Sequence, residues 1–204
     1  MSMTGPTING KIAGVAGSAP ARHHFSVEDY YRMAEAGILT PDARVELLDG
    51  QIFDMLPIGP FHASASRRLN NFFARLGEGR WLVDMQNPVR LNSRSEPQPD
   101  IALLRPLDAE YALRHPMPED VFLLVEVAES SVRYDRGRKL AAYARAGIVE
   151  YWIVNLVEGV VEVYRQPLPT ERAYQSITRV RGEARVAPTA FPDAEIAVAD
   201  LLGR

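Results

Sequence analysis

The chain has 204 residues, 47% of them hydrophobic and 24% charged, with a formal net charge of −3. A chain of this length and balance buries a core without disulfide or metal, which excludes fibrous, collagenous and wholly disordered classes. Cysteine is absent, so disulfides, thiolate metal sites and cysteine nucleophiles are excluded, and no overall basic footprint for a nucleic acid exists.

No apolar run approaches the ~20 residues of a membrane helix. No membrane partner is therefore expected, and the lack of cysteine is compatible with a reducing cytoplasm. Residues 1–24 are rich in Gly, Ala, Ser, Thr and Pro, and read as a flexible N-terminal tail. Residues 25–204 read as one domain.

Ser26 with Asp29 forms a capping-box pattern ahead of Tyr30, Met33, Ala34 and Ile38 at helical spacing, closed by Gly37. Arg44 to Met55 reads as a hairpin turned at Asp49-Gly50. Phe61 to Leu76 reads as a helix with Pro60 in its first turn and Ala65, Leu69, Phe72, Phe73 and Leu76 as its apolar stripe. Trp81–Leu91, Asp100–Leu104 and Val121–Ala128 read as strands. The last is nearly continuous apolar sequence, as in a strand buried on both faces. A helix over Tyr134–Ala146 ends at Gly147. Tyr151–Asn155 and Val160–Tyr164 pair across Glu158-Gly159. Residues 171–180 and 183–187 suggest a further hairpin, and Ala197–Leu202 a closing helix. This mixture indicates one α/β or α+β domain.

Five side chains stand out against this frame. Glu126 lies inside the apolar run Val121–Ala128, where an ionised carboxylate is costly unless paired, hydrogen-bonded or metal-bound. It is either a strand-end or arginine-paired glutamate, or a ligand. Asp100 follows Pro99 at the start of a short strand, where a turn aspartate is the plain alternative. Two carboxylates from neighbouring strands can hold a hard dication such as Mg²⁺ or Mn²⁺, with the Val127 carbonyl as a further oxygen ligand. Such a cation can polarise a phosphodiester.

Lys139 is one of only two lysines beside 21 arginines. It either pairs with Asp135 on a helix surface or acts as a compact charge on a hydrolytic water. Glu46 shares a hairpin face with Leu48 and Phe53, as a metal or water ligand or as an arginine partner. His62 sits in the first turn of its helix, where a phosphate is favoured, and is otherwise a core histidine. Arginines cluster as Arg67, Arg68, Arg75 and Arg80 and as Arg133, Arg136, Arg138 and Arg145. They are local phosphate contacts or merely solvated faces. Tyr143, Tyr151 and Trp152 read as core.

The stretch Val125-Glu126-Val127-Ala128-Glu129-Ser130-Ser131, then Tyr134-Asp135-Arg136-Gly137-Arg138-Lys139, then Tyr143 through Val154, carries a family resemblance. Upstream, Val45-Glu46-Leu47-Leu48-Asp49-Gly50, His62 and Gln98-Pro99-Asp100-Ile101 extend it. In this order the residues closely resemble the Uma family of putative restriction endonucleases, within the PD-(D/E)XK nuclease superfamily. The resemblance runs from about Phe25 to the C-terminus.

It implies a restriction-endonuclease-like mixed sheet flanked by helices, with an αβββαβ core, an N-terminal hairpin and a C-terminal β extension. It puts the first motif acid on Asp100 and the second on Glu126. The motif lysine normally stands two residues after the second acid, where this chain has Ala128; in the family it lies on the following helix, here Lys139. Glu46 and His62 match further family positions. Two departures are Glu129-Ser130-Ser131 in place of Ser-Pro-Ser and Asn155 in place of aspartate. The implied activity is metal-dependent cleavage of DNA, with a homodimer suited to cutting both strands. The alternative is a catalytically weak or inactive nuclease-fold module that binds nucleic acid or serves in protein assembly.

Overall fold

The computed structural model describes residues 21–107 and 109–203. Residues 1–20 of the expected flexible tail lie outside the described residues.

A six-stranded mixed sheet forms the centre. Its strands are β3 (Leu82–Asp84), β4 (Ile101–Leu104), β5 (Val121–Ala128), β6 (Glu150–Asn155), β7 (Val160–Leu168) and β8 (Ala173–Arg181), side by side in chain order. Neighbours are antiparallel except β5 and β6, which are parallel. A parallel pair requires a crossover. Here that is the helical segment α3 (Val132–Tyr134), a π-helical turn (Asp135–Lys139) and α4 (Leu140–Ala146), closed by Gly147 at φ +79. Before β3 comes the long helix α2 (Pro60–Gly77). The order α2-β3-β4-β5-helix-β6 is the expected αβββαβ core, and β7 and β8 form the expected C-terminal extension.

Alternation along β5 assigns its side chains to two cores. Leu123, Val125 and Val127 face α2, packing with Ala65, Leu69, Phe73 and Trp152. Leu124 and Ala128 face the crossover, packing with Ala142, Tyr143, Tyr151 and Ile153. Glu126 has the parity of Leu124 and Ala128, so its carboxylate projects toward the crossover helix.

The hairpin β1 (Val45–Leu48) and β2 (Gln51–Asp54) turns through Asp49 and Gly50, both at positive φ, as a two-residue primed turn requires. A bridge from Leu47 to Glu96 ties it to the segment leading into β4. Helix α1 (Val27–Glu35) carries the expected capping box between Ser26 and Asp29.

Three expectations are corrected. The stretch Trp81–Leu91 is a strand only over β3, because Gln86 takes a positive φ and Pro88 follows, so the chain leaves the sheet. Residues 171–187 do not form one hairpin: β8 extends the main sheet against β7. The short β9 (Arg185–Val186) pairs instead with β10 (Ile196–Ala197), just before α5 (Val198–Leu202). In α1 only Val27 is buried, and Ile38 lies beyond the helix and is exposed, so the expected stripe does not form a core face.

Candidate active site

Five of the expected side chains arrive at one cavity from five places in the chain. Glu46 comes from β1, His62 from the first turn of α2, Asp100 from the residue before β4, Glu126 from β5 and Lys139 from the π turn. All line a single cavity of about 280 Å³. The antiparallel register that pairs Ile101 with Val125 puts Asp100 opposite Glu126.

The Lys139 ammonium lies 2.9 Å from Glu126 Oε1 and 3.4 Å from Glu46 Oε2. It also points at the Gln98 carbonyl, 3.5 Å away. It is buried rather than displayed on a helix surface, and forms no ion pair with Asp135 within the usual reach. The π turn contributes to this placement. Wide turns of this kind recur at functional sites because they reset the side-chain phase of a helix.

Glu126 Oε1 also accepts the Tyr143 hydroxyl at 2.7 Å. Both donors therefore converge on one carboxylate oxygen. Oε2 takes no protein donor among the described residues and is the oxygen left to the cavity. Glu46 is held similarly, by the Tyr134 hydroxyl at 3.0 Å on Oε1 and the Gln98 amide at 3.0 Å on Oε2.

Asp100 Oδ2 accepts the Val127 amide at 2.8 Å and contacts His62 Nε2 at 3.0 Å, while Oδ1 accepts the Gln86 side-chain amide at 3.2 Å. In an extended strand a residue's N–H and C=O leave by the same edge. The Val127 carbonyl therefore points toward the edge occupied by Asp100, and the next carbonyl, Ala128, bonds the Leu156 amide on the opposite side.

Charge in the cavity is lopsided. Glu46, Asp54, Asp100, Glu126, Glu129 and Asp135 line it, against Arg44, Lys139 and His62. Burial alone would strip the proton from Lys139, but Glu126, Glu46 and Asp135 hold its pKa well above the ordinary lysine value. Glu126 is pushed well above the usual carboxylate range by burial, offset in part by Lys139 and reinforced by Asp135, Asp100 and Glu46. Burial also opposes ionisation of Asp100, yet His62, the Val127 amide and Lys139 keep it below its ordinary value. His62 is the mirror case, with burial overcome by the Asp100 carboxylate so that its pKa rises. One ammonium is thus shared among several carboxylates, an arrangement that a bound dication would relieve.

No group of three or more His, Cys, Asp or Glu side chains forms a ready cage for a metal ion among the described residues. Two carboxylates and a backbone carbonyl fit the other mode, in which a hard dication keeps several waters and takes only one or two carboxylates from the protein.

A family profile described as "Uma2: Putative restriction endonuclease" matches residues 27–199. The chain belongs to this family. Among solved structures, it is similar to a putative nuclease belonging to DUF820 from Anabaena variabilis. The two share 14% identity over 88% of this chain and 98% of that one, with a TM-score of 0.67. That likeness concerns the fold, which is restriction-endonuclease-like. A comparison with curated proteins gives no match.

Within this Uma2 chain, Ala128, two residues after Glu126, is wholly buried against the crossover helix. Lys139 reaches the same carboxylate from that helix. Tyr134, Tyr143 and Gln98 join the site although sequence reasoning singled out none of them for it. Tyr143 is core, as expected, but its hydroxyl also holds Glu126. Three arginines of the basic clusters are held in ion pairs. Arg136 pairs with Glu158 and Glu162, Arg145 with Asp49, and Arg80 with Asp193, while Arg68 closes the end of α5 through the Leu201 and Leu202 carbonyls.

Asp135 gives a test of the cavity's electrostatics. Burial lifts its pKa to about 6, against partial relief from Lys139 and the Ser131 hydroxyl. The folded state therefore holds a proton that the unfolded chain releases near pH 4, and stability falls as pH rises from about 4 to 6. Asp135→Asn is expected to remove that loss and to be more stable than wild type at pH 7 by about 2–3 kcal/mol. Urea unfolding of both proteins across pH 4–8 measures it. Superimposable pH profiles would refute the burial argument.

Proposed function

We propose that this chain is a divalent-cation-dependent endonuclease acting on DNA. The observation that carries the reading is the convergence of Asp100, Glu126 and Lys139, from three separated elements, on one acidic cavity.

The Asp100 and Glu126 carboxylates, with the Val127 carbonyl, are the groups that would hold Mg²⁺ or Mn²⁺. When bound, the cation supplies Lewis-acid polarisation of the scissile phosphodiester. Tyr143 and Lys139 fix Glu126 by one oxygen and so aim the other into the cavity. Lys139, kept cationic by its carboxylate neighbours, acts as a fixed positive charge beside the phosphate and orients water; it is not a proton acceptor at neutral pH. His62, kept protonated more readily by Asp100, faces the scissile phosphate from the start of α2. Glu46 orients Lys139 and offers a carboxylate to water or a second cation. Cutting both strands of a duplex needs two such cavities, which a homodimer supplies.

The test is nicking of supercoiled plasmid in Mg²⁺ or Mn²⁺, against EDTA and an Asp100→Asn control. Nicking that requires the metal and falls by at least about a hundredfold in the variant is expected. Nicking that survives EDTA, or is equal in the variant, would overturn the reading.

A further inference from the structure

The loop between β2 and α2 closes one side of the cavity. Its residues Met55, Leu56, Pro57 and Ile58 line the same space as Asp100, Glu126 and Lys139. This run is apolar but not buried: Leu56 is 55% exposed and Ile58 38%. Large apolar side chains gathered beside a polar site mark a surface that a ligand covers. The loop also sits close to the opposite rim. A Cβ placed on Gly59 would lie 2.9 Å from Glu129 Oε2, so the Glu129 carboxylate rests against the loop there.

Arg44 lines the cavity beside this wall. Its carbonyl accepts the Met55 amide at 2.8 Å, which fixes the two together at the open end of the hairpin. Arg44 is exposed and forms no ion pair among the described residues, unlike Arg80, Arg136 and Arg145.

The shape selects the ligand chemistry. A paired duplex presents phosphates and sugars to an approaching surface and keeps its base faces stacked inside. Its apolar features are limited to sugar carbons and the edges of thymine methyls, so it has no flat face to lay on this wall. A base that has left the stack exposes a flat apolar face, and enzymes that receive such bases hold them against aromatic or apolar side chains. Single-strand binders pair a cation that tracks the backbone with side chains that cover the base face; aromatic rings are the usual cover, and aliphatic side chains fill that place here. The wall is concave and continuous with the catalytic groups, so it receives a base instead of wedging a duplex apart.

Building on the endonuclease reading, we propose that Met55, Leu56, Pro57, Ile58 and Arg44 form a subsite for an unpaired nucleobase and its adjoining phosphate. The preferred substrate is then DNA unpaired next to the scissile bond: single strands, flaps or loops.

Fluorescence anisotropy of the full chain in Ca²⁺ tests this, using a short labelled single-stranded oligonucleotide and the same sequence as a blunt duplex. The single strand is expected to bind roughly tenfold tighter. Leu56→Ser combined with Ile58→Ser, both exposed positions, is expected to lose that preference while binding duplex as wild type does. Arg44→Gln is expected to weaken the single-strand complex and to flatten its salt dependence. Equal affinity for the two DNAs, no measurable binding of either, or an unchanged preference in the double variant would refute the subsite. Plasmid nicking by the same preparation is the separate readout of the endonuclease. Nicking without single-strand preference removes the subsite alone. Single-strand preference that depends on Leu56 and Ile58, with no cleavage of any DNA in Mg²⁺ or Mn²⁺, keeps the subsite and removes the endonuclease.

Discussion

Lys139→Met is expected to destabilise the protein by about 3–5 kcal/mol and to lower DNA nicking by at least about a hundredfold. The ammonium is buried and lies between Glu126 and Glu46, with Asp135 close enough to raise its pKa. Methionine fills the space but supplies no charge and no donor. Two buried carboxylates then face each other with only tyrosine hydroxyls and the Gln98 amide for partners. They answer by binding protons, so the stability cost should be smaller at pH 5 than at pH 8. Unfolding in urea at the two pH values measures this.

Stability and catalysis separate in the double variant Lys139→Met with Glu126→Gln. Removing both partners of a buried pair costs far less than removing one. The double variant should therefore recover much of the lost stability while remaining inactive. If Lys139→Met were as stable as wild type, the ammonium would not be the counter-charge of this cavity.

How far the sequence foretells this site depends on the range of the interactions involved. The hairpin at Asp49-Gly50 was legible because two adjacent residues must both take positive φ, and few pairs do so readily. Strand β5 was legible because burial on both faces demands an unbroken apolar run, and Glu126 was conspicuous for interrupting it. The π turn was not legible: its residues follow the same helical pattern as their neighbours, and the extra residue in the turn shows only in the backbone.

The stretch after β3 alternates well enough to pass for a strand, although Pro88 interrupts it, and the left-handed Gln86 that turns the chain out of the sheet shows only in the backbone. Tyr134 and Gln98 reach Glu46 across 88 and 52 residues, and no local spacing marks such contacts. The partners of the clustered arginines were hidden for a related reason. A helix displays its own charges in the sequence, but the acids that neutralise Arg136 and Arg80 come from β7, the turn before it, and the loop ahead of β10. The motif lysine illustrates both sides. The family resemblance already pointed to Lys139 on the helix after β5, with Ala128 left to the core, and the fold adds the 2.9 Å approach of its ammonium to Glu126.

Glu126→Gln is expected to leave the fold intact and to abolish metal-dependent nicking, with a loss of roughly a thousandfold. The amide oxygen can still accept from Lys139 and Tyr143, as Oε1 does now. The amide nitrogen then stands where Oε2 faces the cavity, and presents hydrogens where a cation needs an oxygen. Stability at neutral pH should fall by less than in Lys139→Met, because the amide keeps both hydrogen bonds and Glu46 still faces the ammonium. A readout independent of activity is thermal unfolding against Mn²⁺ concentration. A ligand that binds only the folded state raises the melting temperature in proportion to the logarithm of its excess over Kd. Wild type should show that rise and Glu126→Gln should not. An equal rise in both would place the cation elsewhere, and would detach Glu126 from the chemistry even if nicking were lost.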